Sequence, residues 1–319
     1  MFHYYLQDPL FFNVLVLAAS LYILYKSADL IVYGISDYAK KLGLSDAIIG
    51  LVVVAMAASA PEIISALTGF LEGNSSVGFG SILGANMVHV GFALGMLALV
   101  GKKVQLESTI FKKQKLFMWG VLMLPFLLSL DGVLSRVDGV LLIAAFAAYI
   151  GRLWHIEGTL GKLKKNVQLK RLWRDAFIFL GAFAALMLAG RWLVFTSINI
   201  ASYFGLPSYF IALTVIGIGT TIPDMAIELR SLFTKKATIG LGDLLGSLMI
   251  ELVLFFGILS ILKPLIVDIK IVLNSLIFLS GSITVIMILM RGKEITRKHG
   301  LLLLGLYALF MLVEIYAIS

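Results

Sequence analysis

The chain has 319 residues, of which 60% are hydrophobic and 14% are charged, and its mean hydropathy is +1.02. Soluble domains carry about 25% charged residues, so the composition excludes a soluble globular protein and predicts an all-α polytopic membrane protein. The absence of cysteine excludes disulfides and thiolate metal sites, and the net charge of +8 raises the question of nucleic acid as a partner.

Apolar runs long enough to cross a bilayer recur along the whole chain. They predict about ten transmembrane helices, in chain order 11–35, 42–70, 78–100, 114–131, 135–153, 176–203, 208–231, 238–262, 266–290 and 299–317. The first run is interpreted as a span because no small-residue cleavage site of a signal peptide follows it.

Lysine and arginine cluster in alternate connections between the predicted spans. The basic clusters lie at 26–41, 102–115, 152–174, 230–236 and 291–298. The positive-inside rule then predicts that these loops are cytoplasmic and that both termini are external, in a plasma (inner) membrane. Topology thus explains the positive charge, and nucleic acid is dropped as a partner. The expected partners are the lipid bilayer and small cations, and no protein partner is implied.

The chain divides into two similar halves. The segment "GTLGKLKKNVQLKRLWR" is the longest polar break, and it predicts a five-helix repeat over 1–153, a basic cytoplasmic linker over 154–175 and a second five-helix repeat over 176–319. A shift of 162 residues places "AASAPEIISAL" on "GTTIPDMAIEL" and "GFGSILGANMVHVG" on "GLGDLLGSLMIELV". Because five is odd, the second copy is expected to be inverted, with a binding site at the repeat interface near the midplane.

Polar residues within the predicted spans concentrate in this repeated block. The second and seventh spans carry hydroxyls, a proline and an acid, which are Ser59, Pro61 and Glu62 in one and Thr220, Thr221, Pro223 and Asp224 in the other. A proline frees the carbonyl four residues earlier, and oxygen-rich sites suit Ca²⁺ and Na⁺. Glycines in the third and eighth spans allow close packing that would bring Ser247, Glu251 and His89 toward the centre.

Each of these features also has a purely structural explanation. A proline with nearby hydroxyls is often only a helix kink, although two copies at one offset, each followed by an acid, favour a binding site. Asp243 fits a helix end facing water as well as a site. Glu228 is expected at the cytoplasmic end, paired with Arg230 or Lys235. For His89, a packing role and a functional role both stay open.

The repeated block resembles the two α-repeats of the calcium/cation antiporter superfamily, and its sodium/calcium exchanger branch in particular. The resemblance rests on "AASAPE" and "GTTIPD", each followed by a G-x-x-x-G-[AS]-x-x-x-polar pattern. It implies inverted halves, external termini and antiport of a divalent cation, expected to be Ca²⁺, against Na⁺, with no enzymatic activity and no cofactor. It also implies that Glu62 and Asp224 are the paired metal-binding acids, and that the hydroxyl ligands are Ser59, Thr220, Thr221 and Ser247. Glu251 occupies a position that is commonly Asp or Asn.

The chain departs from that family pattern at several positions. Ala58 and Ala85 replace hydroxyl residues, and His89 replaces Asn or Asp. Fewer bound Na⁺ ions are therefore expected. An imidazole, with an ordinary pKa of about 6.5, opposite Glu251 predicts a pair that titrates as a unit and a turnover that changes steeply between about pH 6 and 8. Coupling to H⁺, or exchange of Mn²⁺, Mg²⁺ or a transition metal, stays open as the alternative.

The stretch 240–243 raises a second class of function, that of an intramembrane protease. Its sequence "GLGD" matches the G-x-G-D signature of intramembrane aspartyl proteases. Those enzymes need a second Asp after a Tyr and a downstream Pro-Ala-Leu. Asp224 follows a proline, and the chain contains no Pro-Ala-Leu, so the protease is kept only as a remote alternative.

Overall fold

A computed structural model describes residues 9–41, 49–101, 103–105, 109–157, 172–233, 237–292 and 294–318. These residues are almost entirely helical. The α-helices, numbered in chain order, are α1 Pro9–Lys41, α2 Ala55–Ala58, α3 Ala60–Leu71, α4 Ser75–Met87, α5 Leu94–Gly101, α6 Thr109–Leu128, α7 Arg136–Glu157, α8 Leu172–Tyr203, α9 Ser208–Ile211, α10 Gly217–Phe233, α11 Ala237–Leu248, α12 Phe256–Leu262, α13 Ile269–Leu289 and α14 Arg297–Ile318.

Short irregular elements connect or extend these helices. Wider π-helical turns are π1 Ile49–Val54, π2 Val88–Ala93, π3 Ala212–Ile216 and π4 Met249–Phe255, and a 3₁₀ turn follows α6 at Ser129–Asp131. Four short strands, β1 Lys103–Gln105, β2 Val133–Leu134, β3 Leu265–Ile266 and β4 Glu294–Thr296, lie in the connections. Strand β1 pairs antiparallel with β4, and β2 pairs antiparallel with β3.

Seven helical stretches among the described residues are long and apolar enough to cross a membrane. They are Leu10–Ser27, Ser75–Gly101, Lys113–Asp131, Arg136–Ile156, Ile239–Leu262, Ile269–Leu289 and Arg297–Ala317. The predicted spans at 176–203 and 208–231 are helical, and 42–70 is helical over most of its described part, but none of the three is among these seven. The total of about ten spans therefore stays a prediction.

The two stretches that carry the glycine motif lie in the middle of the helix bundle. In Ser75–Gly101 and in Ile239–Leu262, 83% of an apolar 18-residue segment is buried inside the protein, whereas the buried share is 22–39% in the other five stretches. A helix that is apolar on all sides and rich in glycine can be surrounded by other helices at short distances. The motif residues are therefore held in the interior, away from lipid.

The predicted linker lies largely outside the described residues. Helix α7 continues to Glu157, four residues past the predicted end of the first half at 153, and α8 begins at Leu172. Residues 158–171 are not described. The division into 1–153, 154–175 and 176–319 stays a prediction.

The π-helical turns and the short strands recur along the chain at the same 162-residue interval as the sequence repeat. Turn π1 ends at Val54 and π3 at Ile216, while π2 ends at Ala93 and π4 at Phe255. Both intervals equal the offset of the repeated motifs. The strands follow the same rule, since β1 corresponds to β3 and β2 to β4, so that each strand pair joins one half of the chain to the other.

The central helices contact the opposite half through glycines. A Cβ added to Gly84 in α4 would collide with the carbonyl oxygen of Leu213 in π3. A Cβ added to Gly246 in α11 would collide with the carbonyl oxygen of Leu51 in π1. Because only glycine permits so close an approach of two backbones, these positions fix how the two halves cross beside the polar residues.

Candidate functional site

Five acids and one histidine are buried together at the centre of the bundle. Glu62, Asp224, Asp243, Glu251 and His89 have exposed fractions of 0%, and Glu228 has 1%. They come from α3, α10, α11 and the turns π2 and π4. Placing a charged carboxylate at the centre of a membrane helix costs about 2.5–3.5 kcal/mol of free energy even on translocon-insertion scales, which give the lowest values. This concentration of acids therefore indicates a functional site.

A break in the second predicted span positions Glu62. Helix α2 ends at Ala58, Ser59 lies in the break, and α3 begins at Ala60 with Pro61 in its first turn. Proline is tolerated there because the first N–H groups of a helix have no partner inside the helix. Glu62 then lies in the first turn, where the helix dipole favours a negative charge.

The matching proline of the second half does not interrupt its helix. Helix α10 runs from Gly217 to Phe233 through Pro223. The hydroxyl of Thr220 donates to Ile216 O at 3.0 Å, and that of Thr221 donates to Gly217 O at 2.7 Å. Hydrogen bonds from a hydroxyl to the carbonyl four residues earlier are typical of a kinked helix. They leave the lone pairs of both hydroxyl oxygens available to a cation.

His89 lies between three of the acids. Its Nδ1 is 3.3 Å from Glu228 Oε1, and its Nε2 is 3.2 Å from Asp224 Oδ2 and 4.0 Å from Glu251 Oε1. The predicted pairing with Glu251 is thus the longest of the three contacts. His89 belongs to the buried cluster and is not an isolated packing residue.

An amide that the sequence analysis did not single out holds Glu251. Asn86 Nδ2 donates to Glu251 Oε2 at 2.8 Å and to Ile82 O at 2.7 Å. The second carboxylate oxygen, Oε1, is then the one nearer to His89 Nε2. Asn86 lies three residues before His89 and hence on the same helical face, a signal in "GANMVH" that could have identified it.

Two further acids were placed wrongly or left open by the sequence. The expectation that Glu228 lies at a water-facing helix end is wrong, because it is buried and contacts His89; its expected partners, the side chain of Arg230 and Lys235, lie outside the described residues. It follows Asp224 by four residues and so shares its face. Asp243 is buried as well and interacts electrostatically with Asp224, Glu228 and Glu62, so it faces the cluster and not water.

Many oxygen atoms of the site have no hydrogen-bond partner among the described residues. They are both carboxylate oxygens of Glu62, Asp224 and Asp243, Oε1 of Glu251, Oε2 of Glu228, and the hydroxyl oxygens of Ser59 and Ser247. Buried polar atoms are normally paired, and buried carboxylate and hydroxyl oxygens can be satisfied by a bound cation, while a carboxylate can also be satisfied by a proton. His89, Asp224 and Glu251 each offer one ligand atom, all within 4.8 Å of one another.

The remaining predicted ligands are related to this group by an electrostatic interaction or by a shared helical face. Glu62 interacts electrostatically with Asp224, Glu251 and His89. Ser247 is in α11, four residues before Glu251 and so on the same helical face, and it is completely buried. All eight residues proposed from the sequence as ligands are thus interior, with exposed fractions of 0–1%.

Comparisons with known proteins agree with this architecture. The family model described as "Sodium/calcium exchanger protein" matches residues 12–154 and again residues 175–316. The chain is 30% identical to a protein of Alkalimonas amylolytica described as the antiporter CaxA, over 89% of this chain and 92% of that one. It is 25% identical to the sodium/calcium exchanger MaX1 of Methanosarcina acetivorans, over 95% and 99%.

A solved structure has the same fold. The crystal structure of the H⁺/Ca²⁺ exchanger CAX superposes with a TM-score of 0.77 at 13% sequence identity, covering 96% of this chain and 87% of that one. At this identity the likeness extends to the fold alone, which is that of a polytopic membrane exchanger.

Proposed function

The chain belongs to the sodium/calcium exchanger protein family, and from this premise we propose that it is a secondary antiporter that moves a divalent cation, Ca²⁺, across a membrane in exchange for Na⁺. The observation that carries the proposal is the set of buried carboxylate oxygens that have no hydrogen-bond partner in the part of the chain that the structure describes. A dehydrated divalent ion needs compensating negative charge from oxygen ligands. When the ion leaves, the remaining charge in a low-dielectric interior has to be neutralised by Na⁺ or H⁺, and this requirement couples the two fluxes.

Each predicted ligand has a role in this scheme. Glu62 and Asp224 are the paired acids of the divalent site, and Glu251 completes it. The hydroxyl oxygens that contribute to the Ca²⁺ and Na⁺ sites are those of Ser59, Thr220, Thr221 and Ser247. No chemical bond is made or broken, so the proposed activity is transport and not enzymatic catalysis, and it needs no cofactor.

The proposed architecture is ten transmembrane helices in two inverted halves, with the site between them. Its support is the recurrence of the π-helical turns and strands at the interval of the sequence repeat, and the crosswise contacts of Gly84 and Gly246. In the same proposal both termini are external and the basic loops are cytoplasmic.

Coupling to H⁺ is the second candidate. Ala58 and Ala85 remove hydroxyl oxygens that a Na⁺ ion would use, and His89 brings a group that can carry its own proton. Fewer Na⁺ ions per cycle would then be needed to neutralise the empty site.

The direct test is isotope flux in proteoliposomes that contain the purified protein. Uptake of ⁴⁵Ca²⁺ is measured under an outward Na⁺ gradient, an outward H⁺ gradient, or neither. We expect uptake that depends on one of these gradients, and the gradient that drives it identifies the counter-ion. Uptake that is absent under both gradients, with protein of verified orientation and folding, would contradict the proposed function.

A further inference from the structure

The two ring nitrogens of His89 have different surroundings. Nδ1 is hydrogen-bonded to Glu228 Oε1 at 3.3 Å, and both side chains are buried. Nε2 faces two other acids of the candidate site, at 3.2 Å from Asp224 Oδ2 and 4.0 Å from Glu251 Oε1, and it has no aligned hydrogen bond among the described residues. The imidazole thus lies between Glu228 on one side and the acids Asp224 and Glu251 on the other.

The contact with Glu228 fits a histidine that acts as a metal ligand. Metal-binding histidines donate their other N–H to a carboxylate or carbonyl, and this second contact fixes the tautomer and the ring orientation. With the proton on Nδ1 and shared with Glu228, the lone pair of Nε2 points at the site. Asn86 orients Glu251 in the same way, since it donates to Oε2, and Oε1 has no hydrogen-bond partner among the described residues.

The atoms that face the site are spaced as ligands of one ion. Nε2 lies 3.2 Å from Asp224 Oδ2 and 4.0 Å from Glu251 Oε1, yet neither Nε2 nor either Asp224 oxygen has a hydrogen-bond partner among the described residues. Ligand atoms about 2.0–2.2 Å from a shared ion lie roughly 3–4 Å from one another. The three side chains therefore converge on a common point.

A nitrogen at this point changes which cation the site prefers. Ca²⁺ takes oxygen ligands almost entirely, whereas an imidazole nitrogen suits the later first-row transition metals best, and affinity for such a site rises from Mn²⁺ through Co²⁺ to Ni²⁺. In the repeat, Glu251 and His89 occupy matching positions, so one half supplies an oxygen ligand where the other supplies a nitrogen. The cysteine-free sequence excludes thiolate ligands.

We propose that the transport site binds a divalent first-row transition metal, such as Mn²⁺ or Co²⁺, in preference to Ca²⁺, with His89 Nε2 as a ligand and Glu228 as its positioning residue. The inference rests on the proposed antiporter function, and for the same site it adds a class of divalent ion that binds more tightly than the Ca²⁺ named there. The competing explanation is that His89 is an internal cation that neutralises Asp224 and Glu228 in the empty site, without touching the transported ion.

Spectroscopy of bound Mn²⁺ separates the two explanations. Purified full-length protein is loaded with one equivalent of Mn²⁺, and pulsed electron paramagnetic resonance measures coupling to ¹⁴N. We expect an imidazole ¹⁴N signal in the natural protein, its loss in His89→Asn and its persistence in His155→Asn, a matched change at an exposed histidine. Bound Mn²⁺ without a ¹⁴N signal in the natural protein would overturn the inference.

Selectivity gives a second, independent measurement. The concentrations of unlabelled Mn²⁺ and Ca²⁺ that halve ⁴⁵Ca²⁺ binding are compared in equilibrium binding assays. We expect Mn²⁺ to compete more strongly than Ca²⁺, and Glu228→Gln to weaken Mn²⁺ about 10- to 100-fold while the ¹⁴N signal persists. An Mn²⁺-to-Ca²⁺ ratio that is the same in the natural protein and in His89→Asn would also overturn the inference.

Failure of this inference differs from failure of the proposed function. Gradient-driven ⁴⁵Ca²⁺ flux together with Mn²⁺ that binds without nitrogen coupling would leave the antiporter and remove the transition-metal preference. Absence of any divalent binding or flux would remove both.

Discussion

Single residues define the site through an excess of buried acids over buried cations. Within the described part of the chain, five acids of the cluster are buried, and no lysine or arginine is among the buried residues. Among the contacts that the structure describes, His89 is the one basic side chain that touches these acids. One imidazole cannot balance five carboxylates, so cations or protons from solution have to neutralise the remainder.

The paired acids after the prolines are expected to be indispensable. We predict that Glu62→Gln and Asp224→Asn each abolish gradient-driven ⁴⁵Ca²⁺ exchange, because each removes a negative charge that a dehydrated divalent ion needs. Both substitutions keep the size of the side chain, so expression and size-exclusion profiles should match those of the natural protein. Full flux at equal expression in either variant would show that the acid is not a ligand.

Asp243 tests the distinction between a transporter and a protease. We predict that Asp243→Asn retains part of the ⁴⁵Ca²⁺ flux, since the side chain interacts with the ligand acids but lies two helical turns from Glu251. The natural protein is expected not to cleave model transmembrane peptides. Cleavage that is present in the natural protein and lost in Asp243→Asn would instead support the G-x-G-D protease.

Helical elements carry these residues into contact through glycines. Helix α4 lies against π3 of the second half, and α11 lies against π1 of the first. Because the two contacts involve backbone atoms, they leave no flexible side chain that could move aside. The crossing helices are therefore held at fixed depth beside the acids.

A methyl group at these crossings should be harmful although alanine favours helices. We predict that Gly84→Ala and Gly246→Ala each destabilise the protein by about 1–3 kcal/mol through overpacking, measured as a lower melting temperature in detergent by size-exclusion chromatography after heating. The matched controls are Gly120→Ala and Gly281→Ala, which are also in helices but have open space at the added Cβ. These should be neutral or stabilising by up to about 1 kcal/mol. Equal melting temperatures for all four variants would contradict the close crossings.

For the whole molecule, the number of helices that cross the membrane decides on which side each terminus lies. Seven described helical stretches meet the length and hydropathy expected of a span, and an odd number of crossings puts the two termini on opposite sides. Ten crossings put both termini on one side, and the positive-inside rule makes that side external.

The cysteine-free chain makes this topology directly measurable. We predict that His3→Cys and Ser319→Cys are both labelled by a membrane-impermeant maleimide in intact cells, whereas Asn166→Cys, in the basic segment between the halves, is labelled only after permeabilisation. The unsubstituted protein is the background control because it has no thiol. Labelling of one terminus alone in intact cells would exclude ten crossings in the inverted arrangement.

Local patterns in the sequence were sufficient for the membrane-protein class and for the helical architecture, and they supplied the candidate site residues. Hydropathy identifies apolar helices because the bilayer interior imposes both their composition and their length. The repeat with its proline–acid pairs made Glu62 and Asp224 the candidate ligands, because a carboxylate within an apolar run is costly wherever the helix lies. These conclusions depend only on composition, local spacing and the comparison of the chain with itself. The family match at 12–154 and 175–316 confirms the exchanger resemblance.

Only the tertiary structure decided which side chains meet. Glu228 contacts His89 across 139 positions of sequence, and Asn86 contacts Glu251 across 165. Whether an acid near a helix end faces water or the interior depends on how the helices are rotated and how closely they cross, and glycine contacts between the halves set both. The sequence by itself therefore determined that acids occur within apolar helices. The packing of these helices decided that Glu228 and Asp243 are buried as well and that His89 lies between three carboxylates.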